Sequence, residues 1–233
     1  MKTIGLIGGM SWESSIEYYR IINQSVQKRL GGVHSAKIVM VSLDFAEIEE
    51  LQALGNWDEA TKIMVDAAKR LEKSGADMAL ICTNTMHLMA EEVQNGINIP
   101  LLHIADATAK AVIDQGIKKI GLLGTRFTME KDFYRGRLEK KYKLKVLIPD
   151  DVQRGIVHQV IYQELVKGQV NENSRDKYKE VIDTLVKSGA EGIILGCTEI
   201  GLLVKQENTL VPVFDTTDIH AQAAVEAALE SIS

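Results

Sequence analysis

Apolar and polar positions along this chain follow two periods that take turns. Short apolar runs at residues 3–8, 37–43, 77–82 and 100–103 have the length and composition of buried strands. A second series, at roughly 119–124, 143–148, 192–196 and 211–214, repeats the pattern further on. Between the runs the period lengthens to that of an amphipathic helix. Ile16, Tyr19, Ile22 and Val26 fall on one face of a helix for which Ser11 is the expected N-cap and Glu13 a first-turn acid. Ala60, Ile63, Ala67 and Leu71 share a face of another helix that should stop at Gly75. Tyr178, Ile182 and Leu185 do the same ahead of Gly189. Strands alternating with helices predict a parallel sheet covered on both faces, an α/β fold.

The chain also repeats itself. Lys2-Thr3-Ile4-Gly5-Leu6-Ile7-Gly8 returns as Lys118-Lys119-Ile120-Gly121-Leu122-Leu123-Gly124, and Lys73-Ser74-Gly75-Ala76-Asp77 as Lys187-Ser188-Gly189-Ala190-Glu191. Asn98-Ile99-Pro100-Leu101-Leu102 returns less closely as Leu210-Val211-Pro212-Val213-Phe214. Three matches in one order and at similar spacing indicate an internal duplication. The expected architecture is two pseudo-symmetric, doubly wound parallel-sheet domains. The first takes residues 1–103 plus about 212–233, and the second about 104–211, with the active site in the cleft between them. That division assumes that the last strand, 211–214, and a closing helix near 218–231 return to the first domain.

Composition narrows the function classes. A net charge of −5 with interspersed charges gives no basic surface for gripping nucleic acid. No apolar run nears the ~18 residues of a membrane span. Met1 and Lys2 lead directly into the first strand, with no room for a signal peptide, so a cytoplasmic protein is expected. Cys82 and Cys197 are the only cysteines. In a reducing compartment they form no structural disulfide, and composition alone leaves both as buried hydrophobes. His34, His87, His103, His158 and His220 lack metal-ligand spacing, and no metal is expected.

Chemistry should sit beyond the carboxyl ends of the strands. Four such ends carry polar clusters: Gly8-Gly9-Met10-Ser11, Cys82-Thr83-Asn84-Thr85, Gly124-Thr125-Arg126-Phe127-Thr128 and Gly196-Cys197-Thr198-Glu199. Backbone N–H groups and hydroxyls at such ends suit a small carboxylate. Gly8-Gly9 lacks the spacing of a dinucleotide fingerprint, and no P-loop lysine follows a glycine run. Plainer roles compete at several positions. Thr125 and Thr128 read equally as helix caps, Glu199 has the plainer reading of a first-turn carboxylate, and His87 and His103 read foremost as satisfied, partly buried histidines. Aligning the two Lys-Ser-Gly-Ala-acid segments sets Thr83, not Cys82, opposite Cys197. Because alternate strand residues face opposite sides, Cys82 and Thr83 should not share a cleft.

The segments Ile81-Cys82-Thr83-Asn84-Thr85-Met86-His87 and Leu195-Gly196-Cys197-Thr198-Glu199-Ile200 resemble the two signature segments of the aspartate/glutamate racemases. Ile4-Gly5-Leu6-Ile7-Gly8-Gly9-Met10-Ser11-Trp12-Glu13-Ser14 extends the resemblance to the start of the chain. It implies a pyridoxal-phosphate-independent, metal-independent amino-acid racemase, commonly a homodimer, acting on aspartate or glutamate by proton transfer between two residues. The family usually employs two cysteines. Here Thr83 stands where the first is expected, which resembles the subgroup that prefers L-amino acids and uses a Thr/Cys pair. The resemblance carries substrate contacts onto Met10, Ser11, Asn84, Thr85, Thr125, Thr128, Thr198 and Glu199, and more weakly onto Gln52. Lys167 reads as a solvated helix-end lysine.

Thiol and hydroxyl are unequal groups. A thiol with a pKa of about 8.5, lowered at a helix N-terminus, can serve as a base, whereas a threonine alkoxide is scarcely available at neutral pH. Cys197 is therefore expected to abstract the α-proton and Thr83 to reprotonate the opposite face. Two other readings remain open at this level: a decarboxylase or cis–trans isomerase of a diacid, and a catalytically silent small-molecule-binding protein.

Overall fold

The computed structural model describes residues 1–230. Contacts divide the chain into two compact units, Met1–Ile104 with the chain from His220 onward, and Ala105–Ile219. In chain order the elements of the first unit are β1 (Ile4–Gly8), α1 (Trp12–Leu30), β2 (Ile38–Ser42), α2 (Phe45–Leu54), α3 (Trp57–Lys73), β3 (Met78–Ile81), α4 (Ala90–Asn95) and β4 (Leu101–Leu102). Then follow α5 (Ile104–Asp114), β5 (Lys119–Gly124), α6 (Arg126–Glu130), α7 (Arg135–Tyr142), β6 (Lys145–Leu147), α8 (Asp151–Gln163), α9 (Glu172–Lys187), β7 (Ile193–Gly196), α10 (Ile200–Leu203), β8 (Val213–Asp215) and α11 (Thr216–Leu229). All eight expected strands are present, and the helix expected near 218–231 is α11, residue 231 lying outside those described.

Each unit holds a four-stranded, all-parallel sheet, in the orders β2-β1-β3-β4 and β6-β5-β7-β8. The order is the same in both, as duplication requires. Equivalent residues do equivalent work. Asp77 accepts a hydrogen bond from the Thr3 backbone N–H at 2.6 Å, and Glu191 accepts from Lys118 and Lys119 at 2.8 and 3.0 Å. Each acid thus ties down the start of its unit's central strand. Gly5 and Gly121 do a matching job in packing. A Cβ on Gly5 would stand 3.0–3.1 Å from Leu71 and Ala76, and one on Gly121 would stand 3.1 and 3.5 Å from Leu185 and Ala190. The missing side chain lets a helix press onto the sheet.

Period two sorts the first sheet's residues onto two faces. Ile4 and Leu6 of β1, with Met78, Leu80 and the following Cys82, pack against Tyr18, Ile22 and Val26 of α1 and Ala221, Ala224 and Val225 of α11. Ile7, Ala79 and Ile81 face the other way, into Ala60, Met64, Ala67 and Leu71 of α3. Burial on these faces stabilises the unit by about 25 cal/mol for each Å² of apolar surface removed from water.

Two expectations need correction. Ile16 and Tyr19, expected on the buried face of α1, are both more than half exposed. The buried stripe is Tyr18, Ile22 and Val26, because Tyr18 inserts its ring and donates its hydroxyl hydrogen to His220 Nδ1 at 2.8 Å. The final strand also does not return to the first unit. Val213 and Phe214 pair with Ile193 and Ile194 of β7, so the first unit resumes only at His220. A parallel neighbour is what β7 needs on that edge, just as β3 needs β4. Among the described residues no helix is long and apolar enough to cross a membrane.

Candidate active site

In the first unit the chain leaves β1 through Gly8-Gly9-Met10-Ser11. Gly9 has φ +88°, and a Cβ there would lie 2.1 Å from the Leu43 carbonyl oxygen, so only glycine makes this turn. Two serines of α1 then fasten it. Ser15 Oγ accepts from the Gly9 N–H at 2.8 Å and donates to the Ser11 carbonyl at 3.0 Å. Ser14 Oγ lies 3.0 Å from the same carbonyl and 3.2 Å from the Cys82 carbonyl. The loop after β1 is thereby tied to the loop after β3. Met10 and Ser11 are both buried. Ser11 stands at the N-cap position of α1 as expected, but its hydroxyl makes no capping bond to the helix.

Beyond β3, Cys82 and Thr83 part company. Cys82 is 1% exposed within the α1/α11 face, and burial pushes its thiol well above the ordinary range. It is a core residue. Thr83 is half-buried, and Asn84 and Thr85 are buried behind it at the start of a tight 3₁₀ turn, Thr85–Met89. Gln52 of α2 is buried as well, and its side-chain amide reaches Met86 Sδ of that turn at 3.2 Å. The first-unit candidates therefore gather around the carboxyl ends of β1 and β3.

In the second unit Thr125 is indeed a helix cap. Its hydroxyl accepts from the Thr128 backbone N–H at 3.2 Å and lies 3.2 Å from the Thr128 hydroxyl. Thr128 is fully buried, and its Cγ2 lies 3.2 Å from where a Cβ on Gly196 would stand. That packing sets the pair beside the end of β7. There the Glu199 carboxylate collects two donors on one oxygen: Cys197 Sγ at 3.0 Å and Thr198 Oγ1 at 2.8 Å. All three residues are buried. Thr216 and Thr217 brace the segment by donating to the carbonyls of Leu195 and Thr198. Lys167 is exposed, as expected.

This geometry reverses the expected electrostatics of Cys197. Burial, first, and the adjoining Glu199 charge, second, hold its thiol well above the ordinary value. The helix that follows has only four residues, with Glu199 at its N-cap position, so its dipole is too small to offset them. In this state Cys197 is a thiol that donates to a carboxylate.

Strand register makes Thr83 and Cys197 equivalent, each in its own unit. Ile7 of β1 is level with Ile81, and its repeat equivalent Leu123 of β5 is level with Leu195. Two residues onward from these partners lie Thr83 and Cys197. His87, read from the sequence as a satisfied, partly buried histidine, is buried and bonds to the Thr83 carbonyl at 2.8 Å. The available signal was their four-residue spacing, which a tight turn folds back on itself. Among the described residues no group of three or more His, Cys, Asp or Glu is arranged to hold a metal ion.

Known proteins fit this arrangement. Residues 7–224 match the model of the Asp/Glu/Hydantoin racemase family. Broad specificity amino-acid racemase RacX of Bacillus subtilis is 27% identical over 175 residues, 74% of each chain. A crystal structure of a Yersinia pestis protein ascribed to the Asp/Glu racemases is 56% identical, with TM-score 0.92 over 98% of this chain and 100% of the other. PH1733 of Pyrococcus horikoshii, an aspartate racemase homologue, is 34% identical, with TM-score 0.85 over 98% and 99%. Fold, strand-end chemistry and sequence thus converge, and the chain belongs to the Asp/Glu/hydantoin racemase family, whose enzymes are isomerases.

Proposed function

We propose that the protein racemises aspartate or glutamate by 1,1-proton transfer without a cofactor, one substrate being served by both strand ends. The observation that carries this reading is the equivalence of Thr83 and Cys197 in two similar units, at the positions where a parallel sheet presents ligands. Cys197 takes the α-proton of the L-enantiomer, breaking the Cα–H bond and forming S–H. Thr83 delivers a proton to the other face while its oxygen takes one from water, so no free alkoxide accumulates. The proton on sulfur then returns to solvent.

Met10, Ser11, Gln52, Asn84 and Thr85 from one unit, and Thr125, Thr128 and Thr198 from the other, supply donors for the substrate's carboxylates. Glu199 receives the ammonium. Because that cation neutralises the charge beside Cys197, the bound substrate itself lowers the thiol pKa; the thiol proton passes to solvent, and the thiolate left behind is the base. The α-carbon gains its charge only after binding, so donors fixed in advance matter most.

Enantiomers have equal free energy, so kcat/KM is the same in both directions. The preference for L therefore appears in exchange with solvent. L-substrate should trade its α-hydrogen for deuterium faster than it inverts, whereas D-substrate should exchange only as fast as it inverts. Incubation of separate L- and D-glutamate and aspartate in D₂O, read by proton NMR and chiral chromatography, tests this. Equal exchange-to-inversion ratios for the two enantiomers, or full activity in Cys197→Ala, would sink it.

A further inference from the structure

His87 has both ring nitrogens committed. Nε2 lies 3.2 Å from the Ile104 backbone N–H, and Nδ1 lies 2.8 Å from the Thr83 carbonyl oxygen. An amide N–H can only donate and a carbonyl oxygen can only accept. Nε2 is therefore the lone-pair nitrogen, and Nδ1 carries the hydrogen that it donates to Thr83. The ring is 2% exposed. It lies tilted against the His103 ring, centroids 4.6 Å apart, and 5.9 Å from that of His220.

The same reasoning fixes the neighbour. His220 Nε2 faces the Leu102 carbonyl at 2.9 Å and so bears the hydrogen, leaving Nδ1 to accept from Tyr18. Burial holds this second ring neutral, with its pKa down to about 4. A chain of fixed tautomers thus runs from α1 through His220 and the end of β4. The first residue of α5, Ile104, in turn supplies the donor that selects the His87 tautomer. His87 closes the chain. Its terminal bond is to the Thr83 backbone.

We propose that His87, held as the Nδ1–H tautomer, is a positioning residue that sets the Thr83 peptide and thereby aims the Thr83 hydroxyl at the substrate's α-carbon. This rests on the assignment of Thr83 as the proton donor given above. A loosened Thr83 should slow inversion while leaving the Cys197 face intact, because a misplacement of about 1 Å can cost about 100-fold in rate.

The variants His87→Asn and His87→Gln separate this role from a structural one. An asparagine amide nitrogen stands near the place of Nδ1 and keeps the bond to Thr83, whereas glutamine reaches only the place of Nε2. For L-glutamate or L-aspartate in D₂O, His87→Gln should raise the ratio of α-exchange to inversion about tenfold or more, and His87→Asn should keep it near the wild-type value. A structural role would lower both rates together and leave the ratio unmoved, which overturns the proposal. Loss of exchange in Cys197→Ala, run beside them, separates failure of the positioning role from failure of the racemase reading. Should the glutamine variant not fold, ¹⁵N NMR of the imidazoles in the wild-type protein decides. A protonated Nε2 on His87 overturns the proposal, and a protonated Nδ1 sustains it.

Discussion

The two strand ends that carry Thr83 and Cys197 occupy equivalent places in the duplicated fold but are built in opposite ways. At the Thr83 end the group proposed to react is a hydroxyl, and the polar contacts described around it go to the backbone: His87 holds the Thr83 carbonyl and Ser14 reaches that of Cys82. At the Cys197 end the polar chemistry goes to the reactive group itself, through a carboxylate oxygen 3.0 Å from sulfur. A hydroxyl gains little from a neighbouring charge, since its pKa lies too far from neutrality, so geometry is what the fold can improve. A thiol sits close enough to neutrality for one charge to decide its state. Duplication supplied two equivalent positions, and side-chain chemistry set what each surrounding had to do.

The largest effect should come from removing either member and comparing what survives. Cys197→Ala should lose both α-exchange and inversion of L-substrate, by roughly ten-thousand-fold. Thr83→Ala should lose inversion to a similar degree yet retain exchange of the L-enantiomer. NMR exchange and chiral analysis on the same samples check both. Identical loss of exchange in the two variants would mean that the ends act as one unit, and the contrast drawn above would fail.

Much of this contrast was legible beforehand, and the exceptions are physical. Strand positions, the duplication and the alignment of Thr83 with Cys197 follow from period and spacing, which are local properties. The assignment of β8 to the wrong unit did not, because a three-residue strand carries no mark of the sheet it joins. The buried face of α1 is not legible in the sequence because Tyr18 and Tyr19 are equally apolar by composition. Only a hydrogen-bond partner 202 positions away, His220, selects between them. Likewise a helix dipole is expected to lower the Cys197 pKa, whereas the helix is one turn long, and burial first, then the carboxylate two residues away, raise it.

Stability should depend on the histidines behind the Thr83 end. His220 has its pKa lowered from 6.5 to about 4 by burial. Between these values the unfolded chain binds a proton that the folded one refuses, so this contribution is complete above pH 6.5 and is lost as pH falls toward 4. The shift corresponds to about 3 kcal/mol across the window. Urea unfolding of wild type and His220→Gln at pH 7.5, 5.5 and 4.5 measures it. The variant should show a flatter profile, and parallel profiles would remove His220 from the account. Next in size, Thr83→Cys makes the two ends chemically alike. With a thiol at each end, D-substrate should exchange faster than it inverts, raising its ratio on the order of tenfold. An unchanged ratio would show that the hydroxyl was never the weaker partner.

The smallest effect concerns the free enzyme and tests the Cys197 end alone. Glu199→Gln removes the charge that, after burial, most raises the thiol pKa, while leaving an oxygen to accept the thiol and Thr198 hydrogens. The thiolate fraction at pH 7 should rise, and with it the rate of Cys197 alkylation by iodoacetamide, by about tenfold for each unit the pKa falls. Cys82, buried among apolar side chains, should stay unmodified in both proteins and serve as the internal reference. Racemisation should move the other way, since the substrate ammonium loses its partner and KM rises. Faster alkylation with weaker catalysis is the signature of a carboxylate that keeps its thiol dormant until a cation arrives. Slower alkylation in Glu199→Gln would mean instead that Glu199 draws the proton off sulfur and is the general base of the free enzyme.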